Sequence, residues 1–185
     1  MDLLNDIISG CLKGDRKCQE QLYKMFSGRM FGLCLQYADN YDDACDILQD
    51  GFIKVFRKLD QYSGKGSFEG WIRRIMINTA LERYRSQLHL YPLTEWNEKE
   101  VDPAYEDILE KLSAEELVKL VRELPPRYRM VFNMYAIEGF THREIAETMG
   151  IEVGTSKSNL SRARDILQRR INKNSGLSGQ FSIDG

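Results

Sequence analysis

Apolar residues in the first ninety positions recur every three or four residues, which is the spacing along one face of an α-helix. The pattern predicts four helices: residues 3–11, a segment from Asp15 through Cys34, residues 41–59, and a segment from Phe68 through Tyr84. Asp15 is a residue type that caps helix N-termini, and the glycine-rich stretch 63–67 interrupts the pattern before the fourth helix. Alternation of the kind found in strands is scarce, so an all-α fold is expected.

The second half repeats the helical spacing with clearer start and stop signals. Pro125 and Pro126 end one helix and begin the next, because proline is accepted at the first helical position. Thr141 and Glu144 form a capping box ahead of a short helix, and Gly150 ends that helix. A last helix is predicted over about residues 153–172. A short helix, a tight turn and a longer helix together predict a helix-turn-helix.

An acidic stretch separates the two halves. Residues 94–110 hold seven carboxylates against Lys99 alone, a net charge of −6, which is typical of a linker. The chain of 185 residues is long enough for two small domains. The sequence therefore predicts an N-terminal helical domain over residues 1–90, an acidic linker over 91–110, a C-terminal helix-turn-helix domain over 111–174 and a flexible tail over 175–185.

Composition excludes several classes of protein. Four cysteines form no C-x-x-C pair, so neither a metal site nor a disulfide framework is expected. Two isolated histidines and no glycine-rich phosphate loop leave no catalytic constellation, which predicts a protein that is not an enzyme and takes no cofactor or metal. The start lacks a signal peptide and no apolar run reaches about 20 residues, so a cytoplasmic protein without membrane insertion is expected.

The net charge of −2 hides strong local differences. In the third helix Asp43, Asp46 and Asp50 are predicted to form one exposed stripe with Gln49 beside it, which suits a protein partner as well as it suits plain solvent. Residues 65–85 carry a net +3 with aromatic residues interleaved, a combination that favours single-stranded nucleic acid. Trp71 is expected in the core, and the role of Tyr62 is left open.

The last helix is the strongest candidate for duplex DNA. Residues 154–173 carry a net +5, and phosphate contacts need such charge. Its predicted outward face presents short polar groups and arginine forks suited to base edges in a major groove. The residues of that face are Lys157, Ser158, Ser161 and Arg162.

These segments resemble, in the same order, the extracytoplasmic-function group of the sigma-70 family of bacterial RNA polymerase sigma factors. The similar segments are residues 43–52 (DACDILQDGF), 68–75 (FEGWIRRI) with Asn78 and Arg85, 124–129 (LPPRYR) and 154–164 (GTSKSNLSRAR). The resemblance spans about residues 15–171. Glu82, Cys45, Asn159 and Glu152 depart from the usual pattern, and Asn159 and Glu152 are expected to border the DNA face.

The resemblance implies a factor that binds core RNA polymerase and directs promoter-specific initiation. It implies polymerase binding by Asp43, Asp46, Gln49, Asp50 and Phe52. It implies single-stranded −10 contacts by Tyr62, Lys65, Arg73, Arg74, Asn78 and Arg85. It implies duplex −35 contacts by Thr155, Lys157, Ser158, Ser161, Arg162 and Arg164.

The resemblance also implies an anti-sigma factor as a further partner and a free chain that is monomeric. The alternative is a dimeric helix-turn-helix transcriptional regulator. That alternative would account for the C-terminal motif, but it leaves the acidic stripe and the segment around Trp71 without a role.

Overall fold

A computed structural model describes residues 3–88 and 114–174 of the chain. Every regular element within these two ranges is helical, which confirms the all-α fold class. The contacts divide the chain into two compact units, Met1–Leu93 and Thr94–Gly185. The predicted linker over 91–110 and the predicted tail over 175–185 lie outside the described residues.

Residues 3–88, the part of the first unit that the structure describes, form four α-helices. They are α1 (Leu3–Leu12), α2 (Arg16–Tyr37), α3 (Tyr41–Arg57) and α4 (Phe68–Leu88), with a 3-10 turn at Leu59–Gln61. Asp15 caps α2, as predicted, by accepting a hydrogen bond of 2.8 Å from the Lys17 backbone N–H. Asn40 caps α3 in the same way, because its side chain accepts from the Asp43 N–H at 2.8 Å.

Helix α2 packs against the three other helices of this unit, so the core forms around it. Leu22, Phe26, Met30, Leu33 and Cys34 are all buried, as the helical spacing predicts. Helices α3 and α4 approach each other closely at Gly51, where a Cβ atom would lie 2.2 Å from the sulfur of Met76. The absence of a side chain at Gly51 therefore lets Met76 pack directly on the α3 backbone.

Within residues 114–174, the described part of the second unit, there are four helices and one π-helical turn. They are α5 (Ala114–Arg122), α6 (Pro126–Phe132), the π turn (Asn133–Ile137), α7 (His142–Met149) and α8 (Val153–Asn174). Thr141 and Glu144 form the predicted capping box. Gly150 ends α7 with φ of 67°, a left-handed conformation that favours glycine.

Helix α8 is the centre of the second core, because it packs against α5, α6 and α7. Ile145 and Ala146 of α7 and Leu160 of α8 are buried together, as predicted for the helix-turn-helix, and Ile151 is half-buried. α7, the turn at Gly150 and α8 thus form the predicted motif. Both of its helices contribute buried apolar residues to the second core.

The cysteines are free thiols within this fold. Cys11 and Cys34 are buried, whereas Cys18 and Cys45 are partly exposed. Burial raises the pKa of the Cys34 thiol to about 12, so this side chain stays protonated and packs as a small apolar group. None of the helices in the described ranges is long and apolar enough to cross a membrane.

Candidate functional site

Helix α3 presents an outward acidic face, formed by Asp42, Asp46, Gln49 and Asp50, all of them exposed. Ile53 lies on the same stripe, and 45% of its surface is exposed. Ile53 thus adds one apolar side chain to the acidic face, and isolated exposed apolar residues of this kind are common on protein surfaces. Sequence reasoning missed Ile53, because a single isoleucine at a helical position reads as core.

Asp43 does not belong to this exposed face, contrary to the prediction. Its side chain is only 11% exposed and is ion-paired with Arg83 of α4. Its other oxygen accepts a hydrogen bond of 3.1 Å from the Asp39 backbone N–H. Asp43 therefore ties the α2–α3 corner to α4, which is a structural role.

Phe52 lies on the inner face of α3, where the helical spacing predicts a buried residue. It is 3% exposed, and its ring centroid lies 4.7 Å from that of Tyr23. A side chain this deeply buried supports α3 from behind and is not part of the outward surface. The exposed residues on this side of α3 are thus the acidic face and Ile53.

The arginines of helix α4 lie on different sides of the helix. Successive residues of an α-helix are rotated by about 100°, which places Arg74, Asn78 and Arg85 on one basic stripe, all three of them exposed. Arg73 points to another side and is partly buried. Arg83 points to the side opposite the stripe, where it pairs with Asp43 and with Asp46.

Arg83 holds its charge firmly at that position. Desolvation opposes the charge, but the hydrogen bonds that Arg83 donates to Asp43 and Asp46, and the charges of these carboxylates, outweigh it, so the pKa of Arg83 is raised. Glu82 beside it pairs with Lys54 of α3. Glu82 and Arg83 therefore join α4 to α3 through ion pairs.

The glycine-rich loop 63–67 precedes α4 and is closed by Tyr62. The Tyr62 hydroxyl donates a hydrogen bond of 2.9 Å to the Gly66 carbonyl oxygen. Its ring packs against Phe68 and Trp71, with centroids 4.9 and 5.6 Å away. Trp71 is only partly buried, so the expectation that it belongs to the core is wrong in part. Lys65 lies exposed within the loop.

Helix α8 presents an outward polar face. Lys157 and Ser158 are exposed there, and Ser161 and Arg162 are partly exposed one turn later. Asp165 lies on the same face, but it pairs with Arg169 at 2.7 Å. Thr155 is partly exposed at the first turn, and its carbonyl oxygen accepts a hydrogen bond of 3.1 Å from the Ser158 hydroxyl.

Asn159 does not border that face, contrary to the expectation. It is 1% exposed, and its Nδ2 has no hydrogen-bond partner within the described part of the chain. Glu152, by contrast, is exposed at the start of α8, as expected. The departure at Asn159 therefore concerns the interior of the second unit and not the outward face of α8.

Arg164 has a neighbour within its own unit. Its guanidinium lies 5.9 Å from the ring centroid of Tyr135, and Tyr135 stacks on His142 with centroids 4.6 Å apart. The His142 Nδ1 atom is 3.0 Å from the hydroxyl oxygen of Ser156, which is fully buried. This chain of contacts links the π turn, α7 and α8, and it fixes the rotation of α8.

His142 gives the second unit a pH-dependent stability. Burial lowers the pKa of His142, and the positive charges of Lys157 and Arg164 lower it further. The folded unit thus favours neutral His142, so the stability that this side chain contributes is fully present above the ordinary histidine pKa of about 6.5 and is lost as pH falls through the lowered pKa.

We expect urea unfolding, followed by NMR signals of α7 and α8, to show this loss between neutral and mildly acidic pH. The His142→Gln variant should show a shallower dependence over the same range, because glutamine does not titrate. Equal slopes for the two proteins would contradict the assignment. The Glu147→Gln variant, at an exposed position of α7, is the matched control.

Two family models match the chain, one in each unit. The model described as Sigma-70 region 2 matches residues 22–89, and the model described as Sigma-70, region 4 matches residues 114–167. The first match contains the acidic face of α3 and the basic stripe of α4. The second contains the helix-turn-helix and the outward face of α8.

Curated relatives match over most of the chain. The ECF RNA polymerase sigma factor SigE of Mycolicibacterium smegmatis is 32% identical over 87% of this chain, which spans 64% of that relative's length. The ECF RNA polymerase sigma-E factor of Haemophilus influenzae is 27% identical over 86% of this chain and 90% of its own.

Solved structures share the fold at lower identity. The sigma factor RpoE of Bartonella quintana, solved with the anti-sigma factor NepR, has a TM-score of 0.52 at 22% identity and covers 83% of this chain and 96% of its own. CnrH, solved with the cytosolic domain of CnrY, has a TM-score of 0.50 at 19% identity and covers 94% of this chain and 99% of its own.

Proposed function

Because this chain belongs to the extracytoplasmic-function group of the sigma-70 family of RNA polymerase sigma factors, we propose that it binds core RNA polymerase through the acidic face of α3 and Ile53. In the complex, the basic stripe of α4 and the outward face of α8 are the surfaces that contact promoter DNA. The chain makes and breaks no covalent bond, since the polymerase carries the chemistry.

The separation of charge in the first unit carries the proposal. α3 turns carboxylates and an exposed isoleucine outward, whereas α4 turns Arg74, Asn78 and Arg85 outward beside the glycine-rich loop. A carboxylate surface repels DNA and suits a basic protein partner, and a basic stripe suits phosphates. A simple DNA-binding regulator has no need of both surfaces on one small unit.

Three steps follow from these surfaces. α8 engages the duplex −35 element, where Lys157 contacts phosphate and Ser158, Ser161 and Arg162 reach base edges. The basic stripe of α4 then holds the backbone of the −10 element. Lys65 and the loop closed by Tyr62 receive bases that have left the stack, at a cost that is lowest where pairing is weak.

Partners and compartment follow from the same role. We expect the chain to act in the cytoplasm, where polymerase and DNA are found, and to be a monomer before it binds polymerase. We also propose an anti-sigma factor that competes with polymerase for the chain. Exposed acidic and apolar groups on α3 form one surface that such an inhibitor could cover.

Binding to purified bacterial core RNA polymerase tests the proposal, combined with run-off transcription on a library of promoter-like DNA. The chain should co-purify with core polymerase and direct initiation from a subset of the library. Replacing both Asp46 and Gln49 by alanine should weaken the complex by about 10-fold, because two contacts at the centre of the surface are lost.

Glu20→Ala is the matched control. Glu20 is an exposed carboxylate of α2 that pairs with Lys24 and lies outside the acidic face, so its loss should change binding by less than about twofold. A chain that ignores polymerase but protects palindromic DNA as a dimer would overturn the proposal in favour of a dimeric regulator.

A further inference from the structure

Arg83 joins the acidic face of α3 to α4. Its guanidinium forks between two carboxylates: Nε bonds Asp43, and Nη2 lies 2.7 Å from Oδ2 of Asp46. Both bonds come from one planar group, so they fix the positions of the two carboxylates relative to each other. Because Arg83 points away from the basic stripe, it is unavailable to DNA bound there.

The two carboxylates differ in what they offer a partner. The Asp43 side chain is 11% exposed, whereas the Asp46 side chain is 55% exposed. An ionised carboxylate has room for about four hydrogen bonds on two oxygens. Arg83 uses Oδ2 of Asp46, and Oδ1 is left for a cationic group that approaches from outside.

We propose that Arg83 is a positioning residue for polymerase binding, which holds the Asp46 carboxylate with one edge turned to the partner. The proposal rests on the role of the acidic face given above. A carboxylate that is already ordered loses less conformational freedom when the complex forms. The positive charge of Arg83 opposes an incoming cation. In this proposal, the benefit of an already ordered Asp46 carboxylate exceeds that repulsion, and the open oxygen of Asp46 is where the cation binds.

A double-mutant cycle tests the proposal on the full chain. The Kd for core RNA polymerase is measured by fluorescence anisotropy of the chain labelled at its N-terminus, for the unchanged chain, Arg83→Gln, Asp46→Asn and the double variant. We expect about threefold weaker binding for Arg83→Gln and about fivefold for Asp46→Asn. The double variant should match Asp46→Asn, because Arg83 acts only through Asp46.

Two further variants separate positioning from general stability. Lys54→Gln breaks the neighbouring α3–α4 ion pair with Glu82 and should leave the Kd unchanged. Arg83→Lys keeps the charge but cannot fork to both carboxylates, so it should bind more weakly than the unchanged chain at a similar melting temperature. It also serves as the test variant if Arg83→Gln does not fold.

The possible results differ in what they overturn. Tighter binding by Arg83→Gln would show that Arg83 masks Asp46, and multiplying losses in the double variant would show that Arg83 acts independently of it. Either result, or full-strength binding by both Arg83 variants, would overturn the positioning role alone. Failure of the unchanged chain to bind polymerase would overturn the proposed function itself.

Discussion

Replacing Arg129 by alanine should lower the free energy of unfolding of the second unit by about 3 kcal/mol. Arg129 is 4% exposed, and its Nη1 donates a hydrogen bond of 3.0 Å to the Arg122 carbonyl oxygen. Arg122 is the last residue of α5, where carbonyls lack helical partners and the helix dipole is negative. The variant loses this cap and leaves a cavity in the core.

Urea unfolding of the full chain, followed by NMR signals of α5 and α6, measures the effect. Arg129→Met keeps much of the volume but cannot donate, so it should lose about 2 kcal/mol and separate the hydrogen bond from the packing. Arg127→Ala, at a partly exposed position of the same helix, should stay within about 0.5 kcal/mol. Similar values for Arg127 and Arg129 would show that Arg129 is not a cap.

Replacing Arg162 by alanine should reduce transcription from a selected promoter by about 10-fold and relax base preference at one position of the −35 element. Arg162 lies on the outward face of α8, one turn after Ser158, where an arginine fork can reach guanine. Lys157→Ala should instead weaken binding to all sequences and lower its dependence on salt, because lysine contacts phosphate.

Run-off transcription on a randomised −35 library, sequenced before and after selection, reads both effects. The matched control is Arg170→Ala on the same helix, because Arg170 lies away from the outward face and is paired with Glu123 at 3.1 Å. We expect that control to keep both activity and base preference. If the Arg162→Ala variant selected the same −35 sequences as the unchanged chain, Arg162 would not be a residue that contacts bases.

Local signals were sufficient to predict the helices. Asp15, the Thr141–Glu144 capping box and Gly150 act within a few residues of themselves, so their structural role is visible in the sequence. The apolar spacing of α2 was equally informative, since its five predicted core residues are all buried. These features fixed the element order and the helix-turn-helix.

Roles that depend on distant partners were not predictable from spacing. Asp43 was expected to be exposed, but its ion pair with Arg83 joins residues forty positions apart. Asn159 follows the exposed Ser158, and only the position of the core around α8 decides which of the two is buried. The first turns of α8 contain few apolar residues, so the spacing identified the outward residues Lys157 and Ser158 but not the burial of Asn159.

The π turn at Asn133–Ile137 restricts how the length of the second unit could vary. A π turn holds one residue more than an α-helical turn, and removing that residue would rotate the chain on its C-terminal side by about 100°. Tyr135 would then leave its stack on His142. Natural relatives and engineered versions should accordingly accept substitutions within this turn far more readily than a single-residue deletion.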